Sequence, residues 1–171
     1  MYFLFSLFCV NNVICMKIFR FLLVLCGTLF ASMGLAGEID GMRFIHIGLE
    51  EGLSHSTIFG INQDKEGNLW FATYDGFNKY DGYNFTVYRH QYKNPKSIAS
   101  DITRCVVIDN DNRIWIGTRE GLSLYNHRKN EFSNFFYKKK GQNVTVRNIV
   151  PMQKDWLMLG TTEGVLRFDE K

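Results

Sequence analysis

The acidic run DNDN at residues 109–112 is the clearest candidate for metal chemistry in the sequence. Its alternating oxygen-bearing side chains look like the start of a calcium-binding loop, in which carboxylates and amides surround the ion. Such a loop needs a further oxygen ligand two residues after Asp111, followed by glycine, but Arg113 and Ile114 occupy those positions. The run is therefore predicted to form a hairpin turn, and no metal site is predicted.

The other reactive side chains show no catalytic pattern. Three of the four cysteines precede residue 37, which leaves Cys105 in an apolar run without a partner for a disulfide or a metal site. The histidines are irregularly spaced, with no two lying two or four residues apart: His46, His55, His90 and His127. Because the sequence also has no phosphate loop or nucleophile elbow, we predict no catalytic residue and no cofactor.

Aromatic side chains offer a different chemistry, the binding of sugars. An aromatic ring combines an apolar face with a polar rim, so a tyrosine can stack on a sugar ring. The tyrosines considered for this role are Tyr74, Tyr83, Tyr88 and Tyr92. The alternative is that these rings pack between strands or lie exposed without a ligand.

Three copies of one sequence pattern position these side chains. The copies read LWFATYDGFNKYDG from Leu69, IWIGTREGLSLYN from Ile114 and LMLGTTEGVLRFD from Leu157. Their threonines recur at intervals of 45 and 43 residues, and periods of about 20–50 residues are typical of solenoids, propellers and arrays. The residues predicted to form the repeated structural core are Trp70, Thr73, Gly76, Tyr80, Trp115, Thr118, Gly121, Tyr125, Thr161, Gly164 and Phe168.

Each copy has the composition of a four-stranded propeller blade. Short β-rich runs are separated by Gly, Asn and Asp, and in the second copy they cover residues 102–108, 113–117, 122–125 and 131–135. The second run of each copy is apolar on both faces, which is typical of a strand that is covered on both sides. We predict an all-β fold, a partial β-propeller of about three blades at residues 52–92, 98–137 and 143–171, the last one incomplete.

Residues 1–36 are predicted to be a signal peptide. The basic residues Lys17 and Arg20 precede an apolar stretch, and a small-x-small cleavage motif ends at Ala36. Translation is predicted to begin at Met16. The alternative keeps the first methionine and makes the whole stretch a long apolar anchor.

The rest of the chain, residues 37–171, is nearly neutral in charge. The full sequence has 20 Lys and Arg against 17 Asp and Glu, and two of the positive charges lie in the leader. This balance gives no electrostatic basis for binding nucleic acid or an anionic membrane. The one basic run, residues 138–140 before Gly141, is predicted to be a solvated turn. Residues 42–47 are predicted to form a lone strand that completes the last blade of the full protein.

Aligned in this way, the copies resemble the two-component regulator propeller repeat over about residues 42–171. The repeat pattern is D-x-x-G-x-[IL]-W-[IV]-G-T-x-x-G-[IL]-x-x-[YF], and residues 51–90 are similar to the opening of the sensor region of hybrid two-component systems. The first copy matches at Asp64, Gly67, Leu69, Trp70, Thr73, Gly76 and Tyr80. The second copy matches at Asp109, Ile114, Trp115, Gly117, Thr118, Gly121, Leu122 and Tyr125. The departures include Ala72 and Asn112 for glycine, Phe77 for Ile or Leu, and Met158 for tryptophan.

The resemblance implies a ligand-sensing module of a signalling receptor of Bacteroidetes-type bacteria. Receptors of this family carry periplasmic propellers that sense polysaccharide fragments. The propellers are followed by further blades, a Y-rich β-sandwich, an inner-membrane span and a histidine kinase, often with a receiver and a DNA-binding domain. The resemblance therefore implies an oligosaccharide ligand, a homodimeric receptor and no enzyme activity in this segment. The alternatives are a fragment of a propeller enzyme, such as a lyase or quinone-dependent dehydrogenase, and a scaffold for protein contacts.

The candidate binding residues lie where the copies differ. Threonine and glycine repeat, whereas the two residues between them change, in the turn predicted to join the second and third strands. A rigid frame whose loop tips vary is typical of a binding surface, although turn tips also vary when nothing constrains them. The predicted ligand-binding residues are Tyr74, Asp75, Arg119, Glu120, Thr162 and Glu163.

Overall fold

The computed structural model describes residues 43–152 and 156–169. The predicted signal peptide and the start at Met16 lie outside the described residues. Residues 43–48 pair with no strand in the part of the chain that the structure describes. An extended segment becomes a strand only when a partner shares its backbone hydrogen bonds, and the partners predicted for residues 42–47 belong to the last blade of the full protein. The pairing of this segment therefore stays a prediction. No helix within the described ranges is long and apolar enough to cross a membrane.

Two four-stranded antiparallel sheets form the first and second blades. The strands of each sheet follow one another in sequence order, so each hairpin connection joins neighbouring strands. The first blade contains β1 (Ile58–Gln63), β2 (Leu69–Thr73), β3 (Phe77–Tyr80) and β4 (Phe85–Tyr88). The second contains β5 (Thr103–Ile108), β6 (Ile114–Thr118), β7 (Gly121–Asn126) and β8 (Glu131–Phe135). The strands predicted for the second copy agree with these to within one residue at each end.

A short hairpin separates the second blade from the third. It pairs β9 (Lys138–Lys139) with β10 (Gln142–Asn143), and its turn has positive φ angles of 51° at Lys140 and 80° at Gly141. The predicted solvated turn is correct at Lys140 but wrong for the two lysines before it, whose backbones pair in a ladder. The third blade has three described strands, β11 (Val146–Pro151), β12 (Trp156–Thr161) and β13 (Gly164–Asp169).

The blades pack face to face through their second strands. Trp70 on β2 is fully buried between the first two blades, where its ring centre lies 5.2 Å from Phe77 and 5.1 Å from Tyr125. Trp115 on β6 is 1% exposed, and its ring lies 5.8 Å from Phe168 of the third blade. Every residue of β6 is buried, because one of its faces covers the first blade and the other covers the third. For the second copy, this confirms the interpretation of the continuous apolar run as a strand with two covered faces.

A carboxylate at the end of the first strand fixes the tryptophan of each of the first two blades. Trp70 Nε1 donates a hydrogen bond to Asp64 Oδ2 at 2.8 Å, while Asp64 Oδ1 accepts two backbone N–H groups of the following turn. Asp109 accepts from Trp115 Nε1 at 2.9 Å in the same way. In the third blade, Met152 stands at the position of the aspartate and Met158 at that of the tryptophan. Two apolar side chains thus replace both members of the hydrogen-bonded pair.

Replacing Gly117 with alanine is expected to destabilise the chain by about 1–3 kcal/mol, because the added methyl group has no room. A Cβ atom at this position on β6 would lie 2.5 Å from Cys105 Sγ and 2.8 Å from the backbone oxygen of Val146. The matched position on β12 is Gly160, where the nearest atom would be Asn148 Cβ at 3.3 Å. Alanine there should cost less than about 1 kcal/mol. Urea unfolding of both variants measures the difference, and equal losses would contradict the close packing of the second and third blades.

Candidate functional site

One hydrogen-bonded turn recurs between the second and third strands of each blade, at residues 73–76, 118–121 and 161–164. The threonine hydroxyl donates to the carbonyl oxygen of the glycine three residues later, at 2.8, 3.0 and 2.7 Å in the three blades. The threonine hydroxyl oxygen also accepts the backbone N–H of the residue two positions after the threonine, at 3.2, 3.2 and 3.1 Å. The glycines adopt φ angles of 104°, 144° and 102°, which other residues rarely tolerate. The repeated Thr and Gly therefore hold the two variable tip residues in one fixed geometry.

The turn tips lie at the same edge of the blades as the links between blades. In each blade, the N–H of the first tip residue donates to the carbonyl of the residue just before the first strand. These bonds join Tyr74 to Thr57 at 3.3 Å, Arg119 to Ile102 at 2.9 Å and Thr162 to Thr145 at 3.2 Å. The side chains at the tips are thus presented along one edge, where a ligand can touch several blades at once.

The tips of the second and third blades line one polar cleft of about 570 Å³. Arg119 and Glu120 from one blade and Thr162 and Glu163 from the next contribute to its walls. The β9–β10 hairpin supplies the remaining wall. We name this space the hairpin cleft, and its principal charged and amide side chains are Arg119, Glu120, Lys138, Lys139, Asn143 and Glu163.

A second cleft of about 560 Å³ adjoins the hairpin cleft. It lies over the link between the first two blades, where His90 and Asp101 contribute to its lining, and we name it the link cleft. The backbone N–H of His90 donates to Asp101 Oδ1 at 2.6 Å, which ties the link together. Both clefts are lined by Arg119, Glu120 and Asn143. The turn tip of the second blade therefore stands between two contiguous clefts.

Tyr74 and Asp75, the predicted binding residues of the first blade, line neither cleft. Arg89 Nη2 donates to Asp75 Oδ2 at 3.0 Å, and this hydrogen bond holds the pKa of Asp75 below its ordinary value. The Tyr74 ring is half exposed and lies 5.6 Å from His55 and 6.4 Å from Phe59. The structure therefore brings together four of the six predicted residues and leaves the turn tip of the first blade outside the clefts.

Sequence reasoning missed the contribution of the hairpin to this site. Lys139 Nζ lies 2.8 Å from Glu163 Oε2, and this hydrogen bond raises the pKa of Lys139. Asn143 Nδ2 donates to Glu120 Oε2 at 2.9 Å. The hairpin is thus connected to both tips that form the cleft. The sequence does contain a signal for this contribution. A cationic run followed by a turn glycine lies in the segment that links the second and third copies.

A cluster at the opposite edge of the blades has the composition of a metal site but not its free ligands. One ligand atom each from Asp64, Glu66 and His127 lie within 4.8 Å of one another. The Asp64 oxygens already accept hydrogen bonds from Trp70 Nε1, from both nitrogens of Asn68 and from the backbone of Glu66. Because these bonds use the lone pairs that a cation would need, we assign Asp64 to the turn and propose no metal site.

The order of strands and turns in the first two blades matches a known repeat. The family described as "Two component regulator propeller" matches residues 52–75 and 97–120, which contain the first two strands and the turn tip of each of these blades. Two segments of the chain, one in each of the first two blades, thus match this repeat. The chain is also 37% identical over 70 residues to Histidine kinase P4 of Formosa agariphila, a match that covers 41% of this chain and 5% of the kinase.

Two solved extracellular domains have a fold similar to that of this chain. The chain resembles the extracellular domain assigned to the hybrid two-component system BT3049 of B. thetaiotaomicron, with a TM-score of 0.60 and 29% identity over 73% of this chain. The extracellular domain assigned to BT4673 of B. thetaiotaomicron matches with a TM-score of 0.58 at 16% identity over 66% of this chain, which shows the fold alone. The chain spans 20% and 15% of the lengths of these two domains. The similarities support an extracytoplasmic module of the sensor type.

Proposed function

We propose that this chain is the ligand-sensing propeller module of a two-component receptor and that its ligand is an oligosaccharide. In this proposal the module lies in the periplasm, as part of a homodimeric receptor that is anchored in the inner membrane. Binding at the blade edge passes a signal through further blades and a β-sandwich to a histidine kinase. In this proposal the chain itself performs no catalysis.

The contiguous hairpin and link clefts are the observation that carries this proposal. Sugar hydroxyls both donate and accept hydrogen bonds, and Arg119, Glu120 and Asn143 offer both kinds of partner at the boundary of the two clefts. The repeated Thr–Gly turns give these side chains a rigid frame, which limits the entropy lost when a ligand orders them. Two clefts side by side also suit a chain of sugar units better than a single small molecule.

Replacing Arg119 with alanine in the full gene product that carries this chain should weaken oligosaccharide binding about tenfold or more. Arg119 lines both clefts, and a hydrogen bond to a charged group contributes about 1.5–3 kcal/mol. Tyr74→Ala should have a smaller effect, because Tyr74 lines neither cleft. Isothermal titration calorimetry with an oligosaccharide selected from a plant and algal panel measures both. If both variants stay within about 0.5 kcal/mol of wild type, the turn tips are not the site.

The receptor part of the proposal is tested by the gene itself. We expect the full gene product to contain a membrane span and a histidine kinase core after the propeller blades. A gene product that contains the oligosaccharide site but neither of these parts would contradict signalling through a kinase.

A further inference from the structure

We propose that the hairpin cleft binds an anionic group of the ligand, such as the carboxylate of a uronic acid or a sulfate ester on a sugar. This inference rests on the proposed function, because it adds a charge requirement to the oligosaccharide. Both groups present negatively charged oxygens that accept hydrogen bonds from guanidinium and ammonium groups. The cleft is therefore assigned to the binding of a negatively charged oxygen group. The experiment below distinguishes a carboxylate from a sulfate ester.

Cations from two separate elements converge on the hairpin cleft. Arg119 projects from the turn after β6, whereas Lys138 and Lys139 belong to the β9–β10 hairpin. Lys139 is engaged by Glu163, which neutralises it. Arg119 and Lys138 are exposed and form no ion pair with any residue in the described ranges. Two positive charges that the fold does not use are thus available to a ligand at one site.

The acidic side chains of the cleft leave this positive charge in excess. Three cations line the space against two carboxylates, Glu120 and Glu163. Glu163 is paired with Lys139, and Glu120 is held by the amide of Asn143. A ligand anion near Arg119 and Lys138 would therefore meet two unpaired cations, while Glu120 remains placed to accept sugar hydroxyls.

The contact between the hairpin and the second tip also contains an unsatisfied polar atom. Asn143 Oδ1 is buried and finds no hydrogen-bond donor among the residues that the structure describes. A buried acceptor without a donor costs about 1–3 kcal/mol, and native structures contain few of them. The junction between the two clefts is thus not arranged for stability alone, as expected where a ligand is recognised.

Binding of charged and neutral probes to the full gene product tests the assignment. The probes are trigalacturonate, a sulfated galactan tetrasaccharide, and neutral trisaccharides of galactose, arabinose and xylose. We expect at least one anionic probe to bind at least tenfold more tightly than every neutral probe, and its identity distinguishes carboxylate from sulfate. Arg119→Gln and Lys138→Gln should each weaken that binding about tenfold, and the affinity should fall as salt is added.

Arg128→Gln provides the matched control. Arg128 is exposed in the turn between β7 and β8, at the opposite edge of the second blade, so its loss should leave binding of the anionic probe unchanged. If a neutral probe binds as tightly as the anionic ones, or if Arg128→Gln weakens binding as much as Arg119→Gln, the anionic assignment is overturned while the proposed function stands. If no probe binds at millimolar concentration, both are overturned.

Discussion

Replacing Trp70 with alanine is expected to lower the free energy of unfolding by about 3–5 kcal/mol. The indole is fully buried between the first and second blades, where it contacts the rings of Phe77 and Tyr125. Its removal leaves a cavity in the interface that joins the two blades and takes the Nε1 donor from Asp64. Urea unfolding followed by far-ultraviolet circular dichroism measures the loss.

Trp156→Ala is the matched control for this experiment. Trp156 lies on β12 of the third blade, is only partly buried and contacts the guanidinium of Arg167 at 4.7 Å. A partly exposed cation–π contact contributes about 0.5–1 kcal/mol, so this variant should lose little stability. If the two tryptophan variants lose equal stability, the first two blades are not held together by the interface that the structure shows.

Replacing Asp109 with alanine is the second large effect, and we expect a loss of about 2–4 kcal/mol. The Asp109 carboxylate accepts hydrogen bonds from Trp115 Nε1 at 2.9 Å, from two backbone N–H groups of its own turn and from Arg113 Nε at 2.6 Å. Alanine would leave the indole N–H without an acceptor and the turn without its cap. Asp111→Ala, in the same turn, removes a side chain that is 72% exposed and should change stability by less than about 0.5 kcal/mol.

The same carboxylate makes stability depend on pH at the acidic end. Burial alone would raise the pKa of Asp109, but the hydrogen bonds from Trp115 and Arg113 outweigh it and hold the pKa below its ordinary value. A lowered pKa in the folded state gives stability that is present above the unfolded-state pKa of about 3.9 and is lost as pH falls through the folded-state value. Asp109→Asn should therefore flatten the decline of the urea midpoint at acidic pH. An unchanged decline would show that other carboxylates govern it.

The architecture of the blades could be predicted because it depends on local patterns that repeat. The apolar second strands, the turn residues and the Thr-x-x-Gly spacing each reflect a requirement within one blade. The position of Asp64 and Asp109 was visible as part of the repeat. Their role was not, because the bond to each tryptophan side chain appears only when the first two strands pair.

The composition of the site could be predicted only in part, because it depends on links that do not repeat. The hairpin of β9 and β10 has strands of two residues each, too short to show a hydrophobic period. Its lysines lie at the cleft because the chain that links the second and third blades places the hairpin there. The first tip has the same local turn, but its Asp75 is engaged by Arg89, a partner fourteen residues away that no repeat position indicates.

The most direct test asks whether the ligand binds at the edge of the blades that carries the turn tips. Hydrogen–deuterium exchange of the full gene product, with and without an oligosaccharide that binds in calorimetry, provides it. We predict slower exchange on binding at residues 118–121, 138–145 and 161–164, which form the hairpin cleft. Exchange at the opposite edge, in the turns at residues 64–68 and 109–113, should stay unchanged. Slower exchange confined to those opposite turns, or unchanged exchange in all blades at saturating ligand, would contradict a sensor site built on the turn tips.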